Sequence, residues 1–197
     1  MHDPGAGRNV RGVLDLHFIL PDLAVGARFP MSAAARLARE HGVKTVVDVR
    51  VEACDDEHVL RVEGITLLHL PTQDTRAISQ RMIQDGVDHV VAALDRGEKV
   101  LIHCMYGIGR SALLALCVLV ARGVPPLEAL RLTKDARPVV SPSPEQLEAF
   151  REFSDTVRIE TGADWTVPTF DELAAIAYRH LREDRTLEEA RASSTRR

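Results

Sequence analysis

Cysteine is scarce in this chain, with three among 197 residues, too few for a disulfide framework. Charge of one sign is also lacking. The formal net charge is −4, so no field favours non-specific binding to nucleic acid or to an anionic membrane. Long apolar runs are missing too. The longest, 112–121, is too short to span a bilayer, which takes roughly 20 residues. The first eleven residues are polar and carry no apolar stretch of the kind a secretory signal needs. No internal repeat is visible. His58, His69, His103 and His180 have no ligand-like spacing with the cysteines, so neither a metal nor a cofactor is expected. What remains is ordinary for a globular protein: 45% hydrophobic and 27% charged residues. The length suits one domain with a sizeable core.

One stretch organises the rest. His103-Cys104-Met105-Tyr106-Gly107-Ile108-Gly109-Arg110-Ser111 lies between two apolar runs. The first, Val100-Leu101-Ile102, is short and β-branched and reads as a buried strand. The second, 112–120, is long enough for a buried helix. The turn between them holds two glycines, which let the backbone coil tightly. Such a loop points its N–H groups into one concavity at the positive end of the helix, a bowl for a tetrahedral dianion. Met105, Tyr106, Gly107, Ile108, Gly109 and Arg110 are therefore the expected phosphate-binding loop. A free thiol is a poor nucleophile, with a reference pKa of about 8.5, but a helix N-terminus and nearby cations lower it. Cys104 is expected to be a thiolate. Arg110 offers a planar fork matching two phosphate oxygens. Ser111 can donate to the sulfur and help it leave a phosphocysteine. His103 is expected to orient the loop by hydrogen bonding.

These residues resemble the His-Cys-x5-Arg-Ser/Thr signature of the cysteine-dependent protein tyrosine and dual-specificity phosphatases. The Gly107-Ile108-Gly109-Arg110-Ser111 ending is most similar to the small dual-specificity enzymes of the kinase-inhibitor-associated and Cdc14-like type. The resemblance covers about residues 14–155. It implies an α/β fold, a central, mostly parallel twisted sheet of four to five strands flanked by helices. It also implies a general acid on a loop after a strand, about thirty residues before the cysteine. Asp74 stands thirty residues before Cys104, following an apparent strand at 65–70; Asp55 and Asp56 are its rivals, and a helix-capping role is its alternative. Some members of the family pair the catalytic cysteine with a second cysteine in a reversible disulfide, which would make Cys54 a possible redox partner; a solvent-facing or packed thiol is the alternative. In some members a glutamine helps place the hydrolytic water, and Gln146 matches that position; an ordinary exposed helix glutamine is the alternative.

In chain order, residues 1–12 read as a flexible lead-in and 14–20 as a first strand. Residues 31–41 read as an Ala-rich helix capped by Ser32 and ended by Gly42, and 43–49 as a buried strand. Asp48 and Arg50, at its end, either reach the site or form a structural ion pair. Steps of three and four among Ile78, Met82, Ile83, Val87, Val90, Val91 and Leu94 predict an amphipathic helix. Helices follow at about 126–136 and 144–159. Cys117 is expected in the core and Arg137 in a structural role. The expected organisation is a lead-in at 1–12, a catalytic domain at 13–160, and an extension at 161–197 holding a helix at 170–181 and a charged tail, pinned by Trp165 and Phe170.

The function expected is phosphomonoester hydrolysis through a phosphocysteine, without metal. Met105, Tyr106 and Ile108 are uncharged, whereas the superfamily's polyphosphoinositide phosphatases usually place a cation in this loop. That points to phosphotyrosine or phosphoserine/threonine in proteins, with a lipid or small phosphorylated metabolite as alternatives. A phosphate-reading binding domain and a sulfurtransferase are the rival classes. Thiolate chemistry and the polar N-terminus point to a cytoplasmic, reducing setting. Oligomeric state is left open.

Overall fold

The computed structural model describes residues 14–181. The expected lead-in at 1–12 and the charged tail beyond 181 lie outside the described residues. Five strands form one sheet: β1 (Leu16–Leu20), β2 (Leu23–Gly26), β3 (Val43–Arg50), β4 (Thr66–Thr72) and β5 (Lys99–His103), in the order β1-β2-β5-β3-β4. β1 and β2 form an antiparallel hairpin, and every other pairing is parallel. The parallel strands therefore end on one side, where ligands bind in open α/β sheets.

Side chains alternate between two cores, as the period of a strand requires. Leu23, Val25, Val47, Val49, Val100 and Ile102 enter one core. Ala24, Val46 and Leu101 enter the other, joined by Val43, which lies before a register shift in β3. The first and larger core is covered by α3 (Gln80–Asp95), α4 (Arg110–Ala121), α5 (Pro126–Ala136), α6 (Pro144–Thr161) and α7 (Phe170–Ala177). The second is covered by α1 (Ala34–Arg39) and α2 (Glu57–Val62). All of α4 except its last residue is buried, Cys117 included. An apolar helix of this kind, hydrophobic on every side, is stable only when neighbours enclose it. Among the described residues no helix is long and apolar enough to cross a membrane.

The α/β class, the mostly parallel sheet and the long helices are as the sequence and its resemblance imply. Four local readings change. Residues 23–26 form a strand and 57–62 a helix, neither of which periodicity announces. Ser32 caps nothing: it lies inside a 3-10 turn, Met31–Ala33, and α1 has no side-chain cap. The final helix, expected at 170–181, breaks at Tyr178: α7 ends at Ala177, and residues 179–181 are helical again.

Candidate active site

β5 ends at His103 and α4 begins at Arg110, so residues 104–109 are the turn between them. The end of β2 fixes how this turn begins. Gly26 pairs with His103, the Cys104 N–H donates to the Gly26 carbonyl at 3.4 Å, and the Arg28 N–H donates to the Met105 carbonyl at 3.2 Å. Gly107 adopts φ +65°, and a Cβ there would lie 2.5 Å from the carbonyl carbon and oxygen of Gly26. Only glycine fits. A Cβ at Gly109 would lie 2.5 Å from Gln146 Oε1, so the buried glutamine sits directly against the loop.

From behind, Arg137 holds the carbonyls. It is 1% exposed, and its Nε and Nη2 donate to the carbonyls of Gly107 and Tyr106, each at 2.8 Å. Its Nη1 and Nη2 reach Asp15 at 2.6 and 2.9 Å. Carbonyls drawn outward leave the loop N–H groups facing inward. The structural role expected for Arg137 is thus a role in shaping this loop.

Cys104 lies at the base of the bowl, 3% exposed. Its Sγ accepts from the Gly107 N–H at 3.2 Å and from Ser111 Oγ at 3.3 Å. Burial pushes the thiol pKa up, but the Ser111 hydroxyl and the N–H groups of Ser111, Tyr106 and Ile108 outweigh it, and the net shift is downward. Cys117 shows the other outcome: burial alone, with no such donors, raises its thiol well above the ordinary value.

Arg110 is also buried. Its Nη1 and Nη2 donate to the two Glu52 carboxylate oxygens at 2.7 and 2.8 Å, and Nη1 also donates to the Thr72 carbonyl at 2.8 Å. Asp74 Oδ1 stands 3.2 Å from Nη2. The Arg110 bond holds the Glu52 carboxyl down at about 2. Arg110 Nε is buried with no partner. This side chain has one donor to spare and two held by a carboxylate, itself a planar mimic of two phosphate oxygens.

His103, fully buried, meets Asp55 through Nε2 at 2.9 Å and packs against Phe29. Asp55 also accepts from Arg50, which is bound bidentately by Asp48. Asp48 and Arg50 therefore belong to a buried ion cluster under the loop. Asp55, one rival to Asp74, is consumed in that cluster, and Asp56, the other, caps α2. Asp74 remains in the half-open mouth with Thr75, Tyr106, Ile108, Ser141 and Ser143, around a cavity of about 160 Å³. Gln146 completes the lining, and both ends of its amide are engaged: Oε1 accepts from the Ser143 N–H and Nε2 donates to the Arg76 carbonyl. Cys54 lies on the Glu52 loop, its Sγ donating to the Asp55 carbonyl at 3.4 Å. Burial first, then the Asp48 and Asp55 carboxylates, push its thiol up. Cys54 and Cys104 are both free thiols.

Residues 29–156 match the family described as "Dual specificity phosphatase, catalytic domain". The chain belongs to this family. It is 27% identical over 154 residues to human dual specificity protein phosphatase 16, covering 74% of this chain and 22% of the relative. It is 28% identical over 101 residues to mouse protein tyrosine phosphatase type IVA 3, covering 50% of this chain and 58% of the relative. The chain thus spans about a fifth of the one and just over half of the other. Among solved structures, Tk-PTP in its active form is similar at a TM-score of 0.66 and 27% identity, covering 72% of this chain and 97% of that one. PTPMT1, solved in complex with PI(5)P, shares the fold at a TM-score of 0.70 and 24% identity, over 74% and 98% of the two chains.

Glu52 belongs to the site without any motif to announce it. Its one signal is position: an acid in the loop following a parallel strand, on the side where the strands end.

Proposed function

We propose that this chain hydrolyses phosphate monoesters through a phosphocysteine intermediate. The observation carrying this reading is the Cys104 sulfur, ringed by donors and lowered in pKa, beside a buried Arg110 whose Nε has no partner. Cys104 Sγ attacks phosphorus in line while Arg110 and the inward N–H groups of residues 105–110 hold the equatorial oxygens. Asp74 delivers its proton to the leaving oxygen, and the P–O bond breaks. The Asp74 carboxylate then takes a proton from water, whose oxygen attacks phosphorus. The sulfur leaves as thiolate, assisted by Ser111, and inorganic phosphate is released. His103 supports the loop and Gln146 supports the water-bearing side. No metal ion enters these steps. The lead-in at 1–12, catalytic domain at 13–160 and extension at 161–197 form the proposed organisation.

The substrates we assign are phosphotyrosine and phosphoserine/threonine in proteins. Met105, Tyr106 and Ile108 bring no charge to the mouth, and Tyr106 is 62% exposed there, suited to an apolar or aromatic flank better than to a second phosphate. The setting we assign is cytoplasmic and reducing, which a thiolate nucleophile favours. Cys54 is the proposed resolving thiol, protecting Cys104 after peroxide oxidises it to a sulfenic acid: the Cys54 sulfur would attack, a disulfide would form and water would leave.

The test is hydrolysis of an aryl phosphate in the presence of chelator. Wild type should turn over and Cys104→Ser should not, while still binding inorganic phosphate. Asp74→Asn should lose on the order of 10²-fold with poor leaving groups and far less with activated ones. Equal rates for wild type and Cys104→Ser would end this reading.

A further inference from the structure

The family match stops at residue 156, and the chain continues into α7. Leu173 and Ala177 of α7 are fully buried, and Trp165, Phe170, Ile176 and Tyr178 pack against the larger core. The residues that follow α7 bond to α5 and to the segment between α5 and α6. Tyr178 Oη donates to the Pro142 carbonyl at 2.7 Å. His180 Nδ1 lies 2.9 Å from Nζ of Lys134, and that buried ammonium donates to the Val140 carbonyl at 2.6 Å. An ammonium has no lone pair, so the imidazole nitrogen is the acceptor in this pair.

The segment held in this way carries bonds to both halves of the site. The Ser141 N–H donates to the Ile108 carbonyl at 2.9 Å. Ser143 Oγ donates to the Thr75 carbonyl at 2.6 Å, and Gln146, one turn into α6, donates to the Arg76 carbonyl at 2.9 Å. Thr75 follows Asp74 directly and adopts φ +64°, the only positive φ at a non-glycine residue among the described residues. Backbone in that region persists only where surrounding structure holds it. Here the bond to Thr75 itself comes from Ser143, joined to Pro142, which Tyr178 holds, while Gln146 and Glu145 of α6 hold the next two residues, Arg76 and Ala77. The phosphate loop depends less on this brace, since Arg137, Gly26 and Arg28 hold it separately.

We propose that the end of the α7 extension positions the loop bearing Asp74, acting through Tyr178 and the His180–Lys134 pair on segment 140–143. Tyr178 and His180 touch no reacting atom; they are positioning residues, and their effect is on the direction in which Asp74 presents its proton. This inference rests on the reading of Asp74 as general acid. It assigns a catalytic consequence to a segment outside the matched family domain.

The test uses the full chain with wild type, Tyr178→Phe, His180→Ala and Asp74→Asn. Each is assayed for kcat/KM on aryl phosphates of increasing leaving-group pKa, for inhibition by inorganic phosphate, and for unfolding in urea. Tyr178→Phe keeps the packed ring and deletes one donor. It should lose roughly three- to tenfold with the poorest leaving group and less than about twofold with the best, since misplacing a proton donor matters most where the leaving oxygen needs the proton. Phosphate inhibition should stay within about twofold of wild type, because the phosphate loop keeps its own supports. His180→Ala should show the same tilt. A uniform loss across the series, or lowered stability with an unchanged slope, would make α7 mere packing and overturn the inference. If Asp74→Asn steepens the slope and neither Tyr178→Phe nor His180→Ala does, the inference fails alone. If Asp74→Asn leaves the slope unchanged, the general-acid reading fails and the inference with it.

Discussion

Gly107→Ala tests the geometry of the bowl most sharply. Gly107 sits at φ +65°, and the left-handed region costs an L residue roughly 1–2 kcal/mol. The contact problem is larger. The new Cβ would stand 2.5 Å from the Gly26 carbonyl group and 2.9 Å from the Ala27 nitrogen. All three atoms are backbone, and Gly26 is tied into the sheet by its pairing with His103, so no side chain can swing aside. Ordinary contact needs the loop to retreat by about 1 Å, and a displacement of that size at reacting groups can lower the rate about 100-fold. Gly123→Ala is the control. Gly123 has φ +89° and open space around its Cβ position, so it carries the dihedral cost without the collision. Both variants should lose roughly 1–2 kcal/mol or more in urea unfolding. Only Gly107→Ala should also lose about 100-fold in kcat/KM for an aryl phosphate and bind inorganic phosphate weakly. If Gly107→Ala is as active as Gly123→Ala, the argument that the loop's shape is fixed by its approach to Gly26 is wrong.

Two further outcomes follow from the thiols. Ser111→Ala removes the hydroxyl donor to Cys104. Because that donor lowers the thiol pKa, its loss must raise it, and the midpoint of iodoacetamide alkylation against pH should move upward; a midpoint that stays put or falls would contradict the assignment of cause. Peroxide treatment followed by non-reducing peptide mapping should reveal a Cys54–Cys104 link. The raised Cys54 thiol should make that link form faster as pH rises, and its absence at every pH would remove Cys54 as the resolving thiol.

The sequence by itself determined the nucleophile loop, because everything that builds it is contiguous. A strand run, two glycines, a cysteine, an arginine and a helix run stand in one line from Val100 to Val120. Their local preferences agree with one another. The helix at 78–94 was legible for a similar reason: its apolar spacing repeats over several turns. The strand at 23–26 was not, because four residues buried on both faces show no alternation. Tertiary structure alone decided what surrounds the loop. Glu52 reaches Arg110 across 58 residues of sequence, Arg137 grips the loop carbonyls from 30 residues away, and it reaches Asp15 across 122. Nothing in the spacing of a carboxylate and a guanidinium says that folding will bring them within 3 Å of each other. The same holds for Tyr178 and Pro142. Local propensity writes elements into the chain, whereas the partners of buried charges and loop carbonyls are set only when those elements pack. The groups that direct the chemistry of Cys104 are of the second kind.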